Sequence, residues 1–281
     1  MQVAKHKHEL NGLLKEFRNQ KATIGFVPTM GALHQGHISL INEAVKSNDI
    51  SVASIYINPT QFNNKNDLKN YPRNINADLE LLEFAKCDIV FLPDDKEMYP
   101  EKDNRNFDFG IMGEIMEGKK RPGHFNGVAQ IVTKLFDAVK PHKAYFGQKD
   151  FQQLAIIRKI VADYHYPIEI IACPIIREKD GLAMSSRNAL LNKEERSEAP
   201  ILSEILLQIK KKFEDCELSD LQKFTKEKID KTEHVKLDYL EIVNTNTLVS
   251  VSKITKNEPL TACIAVYVGN IRLIDNLDLI S

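Results

Sequence analysis

Residues 28–37, with the sequence PTMGALHQGH, decide how the first part of this chain folds. The apolar run that precedes them, residues 23–27, predicts a short buried strand. After them, apolar residues recur at helical spacing from Ile38 to Val45, which predicts a helix that begins near Gly36. The quoted stretch is therefore a loop that leads from a strand into the first turn of a helix.

This loop has the composition of an anion-binding site. The first turn of a helix presents unpaired backbone N–H groups and the positive end of the helix dipole. Gly31 and Gly36 would let a phosphate approach the backbone, and the imidazoles of His34 and His37 lie where the anion would bind. The sequence contains neither GxGxxG nor the P-loop pattern. The alternative is an ordinary strand-to-helix turn that needs glycine for its geometry and contains histidine by chance.

Composition and charge fit an enzyme that acts in the cytoplasm. The 281 residues are 43% hydrophobic, enough for one large domain or two medium ones. The net charge of -1 argues against the broad basic surface that nucleic-acid binding needs. No apolar segment reaches membrane-spanning length, and residues 1–17 form a charged, helical segment without a signal core. The four cysteines are scattered, which predicts neither a disulfide framework nor a structural zinc site.

Strands and helices alternate through the first 175 or so residues. This order predicts an α/β fold, a Rossmann-like doubly wound parallel sheet that binds ligands at the carboxyl ends of its strands. Three polar motifs, at residues 29–37, 58–62 and 147–153, each follow a predicted strand. The further predicted strands are residues 49–57, 88–92, 144–146 and 168–172, and the further predicted helices are residues 76–86, 126–139 and 149–162.

The pattern changes after Arg177. A polar loop, residues 178–188, leads into charged helices between residues 193 and 231, and two predicted strands follow at residues 237–243 and 260–268. We therefore expect a Rossmann-like domain over residues 1–176 and a smaller α+β domain over residues 177–281. The Lys- and Glu-rich helices could contact tRNA, but their mixed charge favours a solvated helix face.

Three further motifs contain groups that could bind a nucleotide or a small substrate. In GQKDFQQ (147–153), Lys149 could neutralise phosphate oxygens and Asp150 could hold a ribose hydroxyl or a metal; alternatively Asp150 caps a helix and Lys149 is a surface charge. In MSSRN (184–188), two hydroxyls and a guanidinium suit a mobile clamp on a polyphosphate, and the alternative is a solvated loop. In NPTQF (58–62), amides beside a proline could read substrate hydroxyls, and the alternative is a plain turn.

Together these motifs resemble a known family. The HxGH at 34–37 resembles the signature of nucleotidyltransferases that share a fold with class I aminoacyl-tRNA synthetases, and residues 184–187 resemble their second signature. The full series adds YPR (71–73) and RPGHFxGV (121–128) and, in order and spacing, resembles the pantoate–β-alanine ligase family between about residues 24 and 188. Another nucleotidyltransferase of the superfamily would share HxGH but lack NPTQF and FGxKDxQQ. A catalytically silent RNA-binding relative is disfavoured by the charge balance.

The resemblance implies ATP-dependent ligation of (R)-pantoate and β-alanine to pantothenate through pantoyl adenylate, with release of AMP and pyrophosphate. It implies ATP as a substrate, Mg²⁺ with the ATP, and a homodimer. The charge balance and the lack of a membrane-spanning segment predict no nucleic-acid or membrane partner. The protein ligands of Mg²⁺ stay open, with Asp78 and Asp150 as candidates.

The resemblance also assigns residue roles. The implied catalytic residues are His34, His37, Lys149 and Arg187, with His37 as the catalytic donor, and Gln61 and Gln153 hold pantoate, with Gln61 also near β-alanine. The implied ATP contacts are Met30, Gly31, Ala32, Leu33, His34, Gln35, Gly36, His37, Gly147, Gln148, Lys149, Asp150, Ile176, Met184, Ser185, Ser186 and Arg187.

Overall fold

Six parallel strands form the main sheet of the protein. The structure, a computed structural model, describes residues 1–253 and 258–280. The strands are β1 (Gln2–Ala4), β2 (Ile24–Thr29), β3 (Ile50–Ile55), β4 (Ile89–Phe91), β5 (Lys143–Gly147) and β6 (Glu169–Cys173). They lie side by side in the order β1-β4-β3-β2-β5-β6. Strand β2 is therefore central, with β3 on one side and β5 on the other.

Helices cover both faces of this sheet. The helices of this part of the chain are α1 (Lys7–Asn19), α2 (Gln35–Ser47), α3 (Lys65–Asn70), α4 (Ile75–Phe84), α5 (Asp95–Met98), α6 (Met116–Lys120), α7 (His124–Val139) and α8 (Phe151–Asp163); α3 and α6 do not belong to the two cores on the sheet. Successive residues of a strand point to opposite faces, so Phe26 packs with α1, α7 and α8 while Val27 packs with α2 and α4. Two buried cores result, one on each face, which explains why β2 is apolar along most of its length.

The strand order reverses between β2 and β5. From β2 the chain adds β3 and β4 on one side, and it then returns to add β5 and β6 on the other. The helices that follow β2 and β5 thus leave on opposite faces, and the carboxyl ends of these two strands border a crevice. The 28–37 loop follows β2 and the 147–153 loop follows β5, so both lie at this crevice.

The C-terminal part has a second sheet with its own core. Helices α9 (Lys193–Glu198), α10 (Ile201–Lys212) and α11 (Leu218–Ile229) precede three antiparallel strands, β7 (Val235–Asn244), β8 (Leu260–Val268) and β9 (Ile271–Ile280). The apolar side of α10, with Leu202 and Leu206, and that of α11 pack on this sheet. The charged residues of these helices face outward, as their amphipathic pattern requires.

The predicted α/β sheet and the smaller α+β unit are both confirmed. Two strands were missed, because β1 has only three residues in a segment predicted to be helical and β9 carries the buried polar pair Asp275 and Asn276 within its apolar pattern. The helix predicted from residue 149 begins at Phe151, after a 3₁₀ turn over Gln148–Asp150. Within the described ranges, every helix is too short or too polar to cross a membrane.

Candidate functional site

A cavity at the crevice brings together the motifs that the sequence analysis singled out. It lies between the carboxyl ends of β2 and β5, and strand β9 of the small sheet closes one side. The predicted site residues that line it are Met30, His34, Gly36, His37, Gln61, Gly147, Lys149, Asp150, Gln153, Ile176, Met184, Ser185, Ser186 and Arg187. Five others do not line it: Gly31, Ala32, Leu33, Gln35 and Gln148.

The two imidazoles of the 28–37 loop are held in one tautomer. His34 caps α2 with its Nδ1 atom, which accepts the Gly36 N–H at 3.1 Å, and the Nδ1 atom of His37 accepts the His34 N–H at 3.3 Å. A neutral ring that accepts at Nδ1 carries its proton on Nε2. In the part of the chain that the structure describes, no group forms a hydrogen bond with either Nε2. Both rings therefore keep an N–H donor available for a ligand.

Burial keeps both imidazoles uncharged. Loss of solvent, with a smaller contribution from the charge of Lys149, lowers the pKa of His34 to about 4. Loss of solvent and the neighbouring His34 and Lys149 lower the pKa of His37 to about 3. At neutral pH the pair acts as hydrogen-bond donors rather than as cations. The nearby cation is Lys149, whose Nζ atom lies 3.9 Å from an oxygen of Asp150.

Asp78 holds the 28–37 loop from outside the cavity. Its carboxylate accepts the N–H groups of Ala32 at 2.9 Å and Leu33 at 2.7 Å, and only 3% of the residue is exposed. Gly31 has a φ of 76°, and a Cβ atom there would lie 2.8 Å from this carboxylate. These backbone donors are thus used by the protein itself, which accounts for the absence of residues 31–33 from the cavity lining.

In the 147–153 motif, Gly147, which ends β5, and the side chain of Gln153 line the cavity. Gly147 has an ordinary φ of -76°, and a Cβ atom there would meet no atom within 4 Å. Neither backbone strain nor packing within the chain therefore requires glycine, which leaves room for a ligand. Gln152 is buried and binds backbone groups of Met112, Ile115 and Glu117, whereas the side chain of Gln153 bonds to no described residue.

The MSSRN motif reaches the first loop by way of a hairpin. The Met184 N–H donates to the Ile176 carbonyl at 2.9 Å, which returns the chain to the cavity. The Ser186 hydroxyl then donates to the Ala32 carbonyl at 2.9 Å. The Arg187 guanidinium binds Asp67 at 2.9 Å and lies over the ring of Tyr71. The hydroxyls and the guanidinium therefore line the same cavity as the two imidazoles, although the two motifs are far apart along the chain.

Two buried residues, Asn58 and His124, position Gln61. From the sequence, the Asn58 amide of NPTQF could read substrate hydroxyls, but in the structure this amide bonds within the protein; His124 had no assigned role. Asn58 donates to the Gln61 Oε1 atom at 3.1 Å, and His124 Nδ1 donates to the Gln61 carbonyl at 2.8 Å. The Nε2 atom of His124 accepts from Arg121 at 3.1 Å, and burial lowers the pKa of His124 to about 4. Asn58 and His124 both belong to motifs that the sequence analysis quoted, NPTQF and RPGHFxGV. Their place in those motifs is the sequence feature that could have identified them as part of the site.

Helix α7 approaches this Gln61 turn closely. A Cβ atom at Gly127 would lie 2.5 Å from the Thr60 carbonyl oxygen and 2.7 Å from the Gln61 nitrogen. Asn58 also donates to the Gly127 carbonyl at 3.0 Å. Gly127, the second glycine of RPGHFxGV, is therefore needed so that α7 can pack against the turn that carries Gln61.

The predicted metal candidates do not form a metal centre with other described residues. Across residues 1–253 and 258–280, no three His, Cys, Asp or Glu side chains are placed together so that they could hold a metal ion. Asp150 is the predicted metal candidate that lines the cavity, and its side chain is 51% exposed. The other candidate, Asp78, lies outside the lining.

Comparison with known proteins gives one family. The family model "Pantoate-beta-alanine ligase" matches residues 2–278. The chain is 49% identical over 277 residues to a pantothenate synthetase of Porphyromonas gingivalis, a match that covers 99% of each chain. It superposes on the crystal structure of pantothenate synthetase from Thermus thermophilus with a TM-score of 0.93, at 38% identity and 100% coverage of each chain. The pantoate–β-alanine ligase from Francisella tularensis, complexed with β-γ ATP and β-alanine, gives a TM-score of 0.84 at 36% identity, covering 99% of this chain and 98% of that one.

The lowered pKa values of the two cavity histidines predict a pH dependence of stability. An unfolded histidine titrates near 6.5, so between about pH 4 and 6.5 the unfolded chain binds more protons than the folded one. The free energy of unfolding should therefore rise with pH across this window. NMR titration of ¹⁵N-labelled histidine should give midpoints below about pH 5 for His34 and His37. A midpoint near 6.5 for His37 would contradict the neutral pair.

Proposed function

This chain belongs to the pantoate–β-alanine ligase family, and from that membership we propose that the cavity between its two sheets is where ATP, pantoate and β-alanine react. The protein catalyses the ATP-dependent ligation of (R)-pantoate and β-alanine to pantothenate through pantoyl adenylate, with release of AMP and pyrophosphate. The observation that carries the location is the meeting of the imidazole pair, Lys149 and Arg187 around one cavity at the reversal of strand order.

The phosphate part of the cavity is assigned to the charged and donor side chains. The pantoate carboxylate is already ionised at neutral pH, so adenylation requires positioning and charge neutralisation more than a base. Neutral His37, with its available Nε2–H, suits a donor to oxygens whose charge grows in the transition state. The remaining proposed phosphate groups are His34, Lys149, Ser185, Ser186 and Arg187.

The rest of the nucleotide is assigned to the apolar and backbone part of the lining. Gly147 leaves space beside the backbone, and Met30, Ile176 and Met184 give the apolar surface that a purine ring needs. Asp150 suits a ribose hydroxyl or Mg²⁺ held mainly by the phosphates of ATP, because Mg²⁺ usually binds through one or two carboxylates, water and substrate phosphates. Residues 31–33, Gln35 and Gln148 would act by shaping the loops rather than by contacting ATP through side chains.

Pantoate is assigned to two amides of the cavity lining. The amide of Gln153 has no partner among the described residues, and the Gln61 Nε2 atom contacts the sulfur of Met30, a weak acceptor, at 3.1 Å. Neutral amides can bind a carboxylate and a hydroxyl without stabilising the ground-state anion as strongly as an ion pair would. Arg121 lines the same part of the cavity, but its guanidinium bonds to His124 and lies 3.8 Å from a carboxylate oxygen of Glu117.

The proposal also covers the two domains, the oligomeric state and the location in the cell. Residues 177–281 form a lid on residues 1–176 that closes on ATP and excludes water from the adenylate. The Ser186–Ala32 and Arg187–Asp67 contacts support this, since they join the two parts beside the cavity. A homodimer and a cytoplasmic location are proposed from the family resemblance, and the four unpaired cysteines fit a reducing compartment.

Removal of the His37 imidazole tests the proposed site. His37→Ala should lower pantoate-dependent pyrophosphate release by about 10²–10⁴-fold, the range for the loss of a preorganised donor or proton-transfer group. The thermal midpoint should change little, because the ring is held by one long hydrogen bond. The matched control is His8→Ala on the exposed face of α1. Near-normal pyrophosphate release in His37→Ala would remove His37 from the site.

Substitution at Gly127 tests the role of Gln61. Gly127→Ala should displace the 59–61 turn, raise the KM for pantoate severalfold and leave the KM for ATP nearly unchanged, with a stability cost of about 1–3 kcal/mol for overpacking. Gly12→Ala is the matched control, because a Cβ atom at this helical position meets nothing within 4 Å and should stabilise the protein slightly. An unchanged pantoate KM in folded Gly127→Ala would argue against Gln61 as a pantoate contact.

Arg187 and small-angle scattering test the lid. Arg187→Ala should lower turnover about 10²-fold or more but change stability by less than about 1 kcal/mol, since its ion pair with Asp67 is partly exposed. Arg196→Ala, which removes ion pairs with Glu178 and Asp180 outside the cavity lining, is the control. The wild-type radius of gyration should fall when ATP is added. The same radius with and without ATP, together with normal turnover in Arg187→Ala, would overturn the lid.

A further inference from the structure

Strand β9 of the small sheet contacts the loop that follows β5 in the large sheet. Asn276, which is 6% exposed, donates from its Nδ2 atom to two carbonyl oxygens, those of Gln148 and Lys149, each at 2.9 Å. A side-chain amide nitrogen has two hydrogens, so both are used by this one loop. The contact crosses from one sheet to the other, and Asn276 lies outside every motif that the sequence analysis identified.

The two accepting carbonyls flank the Cα atom of Lys149. The Gln148 carbonyl belongs to the peptide unit before Lys149, and the Lys149 carbonyl belongs to the unit after it. Because Asn276 fixes both peptide units, it fixes the direction in which the Lys149 side chain leaves the backbone. That side chain lines the cavity, and only 20% of it is exposed. Gly147, immediately before the turn, ends β5 and pairs with Cys173 of β6, so the Asn276 contact holds the loop just beyond the end of the strand ladder.

Asn276 is itself held firmly. Its N–H donates to the neighbouring Asp275 at 2.8 Å, and Asp275 is 3% exposed. Both oxygens of Asp275 accept from Arg177, at 2.6 and 3.0 Å, a bidentate pair with defined geometry. Arg177 lies at the start of the hairpin that carries Ser185 and Arg187. Two adjacent residues of β9 thus join both loops that bring charge to the cavity.

We propose that Asn276 is a positioning residue for adenylation, which acts by holding the backbone on both sides of Lys149. The inference rests on the proposed role of Lys149 at the phosphates. A small shift of a catalytic group can cost about 10²-fold in rate, so two hydrogen bonds that set its direction have a measurable effect on catalysis.

A double-mutant cycle tests the inference. The variants are Asn276→Leu, which keeps the volume but removes both donors, Lys149→Met, and the two together. Pantoate-dependent pyrophosphate release gives kcat/KM for ATP in each, and thermal unfolding confirms that each is folded. Asn276→Leu should lower kcat/KM about 10- to 100-fold alone but at most about threefold in the Lys149→Met background. If Asn276→Leu fails to fold, Asn276→Ala takes its place.

The control separates this effect from a general loosening of the two sheets. Lys120→Met removes an ion pair between α6 and Asp238 of β7, at 2.6 Å, without touching residues 148–149, and it should change kcat/KM less than about twofold. A loss of equal size in both backgrounds, or none with Asn276→Leu, overturns the positioning role. Wild-type kcat/KM in Lys149→Met would overturn the proposed function of Lys149 and the inference with it, and that single variant identifies this case.

Discussion

The reversal of strand order between β2 and β5 is the constraint on which the site depends. The carboxyl ends of parallel strands lie at the same edge of a sheet. Where the strand order reverses, the helices that follow the two neighbouring strands lie on opposite faces, which leaves a crevice at their carboxyl ends. The loops that follow these two strands therefore meet at this crevice. The imidazoles enter with the first turn of α2, and Lys149 enters with the turn before α8. The second sheet contributes its groups to the same edge through the hairpin and through β9.

The site combines few charges with many neutral donors. Burial keeps His34, His37 and His124 uncharged. The hydrogen bonds of each ring determine which of its nitrogens carries the proton. Gln61 and Gln153 are neutral by nature. The cationic side chains are held by ion pairs, as the guanidinium of Arg187 is by the carboxylate of Asp67. Such a surface combines directed N–H groups with a few full charges, which suits the binding of an anionic substrate.

How much the sequence predicts depends on whether a feature is local. The loop at 28–37 is a strand, a turn and a helix start within a few residues, so its structure and its place at the sheet edge could be predicted. The reason for Gly127 could not, because it lies in the contact of α7 with a turn that is distant in sequence. Strand β9 was missed since buried Asp275 and Asn276 interrupt its apolar pattern, and their partners are distant along the chain. In the sequence alone, buried polar residues whose partners are distant along the chain look the same as surface residues.

The contact between β9 and the β5 loop also has a mechanical consequence. Between residues 1–176 and residues 177–281, Asn276 bonds to the β5 loop, whereas Ser186 and Arg187 bond to the 28–37 loop and to α3. The Arg177–Asp275 pair lies within the second part. A translation that separates the two parts would break both sets of bonds between them. A rotation about the β9 contact preserves the first set and breaks only the second. In the proposed lid motion, strand β9 would thus be the fulcrum, and Lys149 beside it would move least.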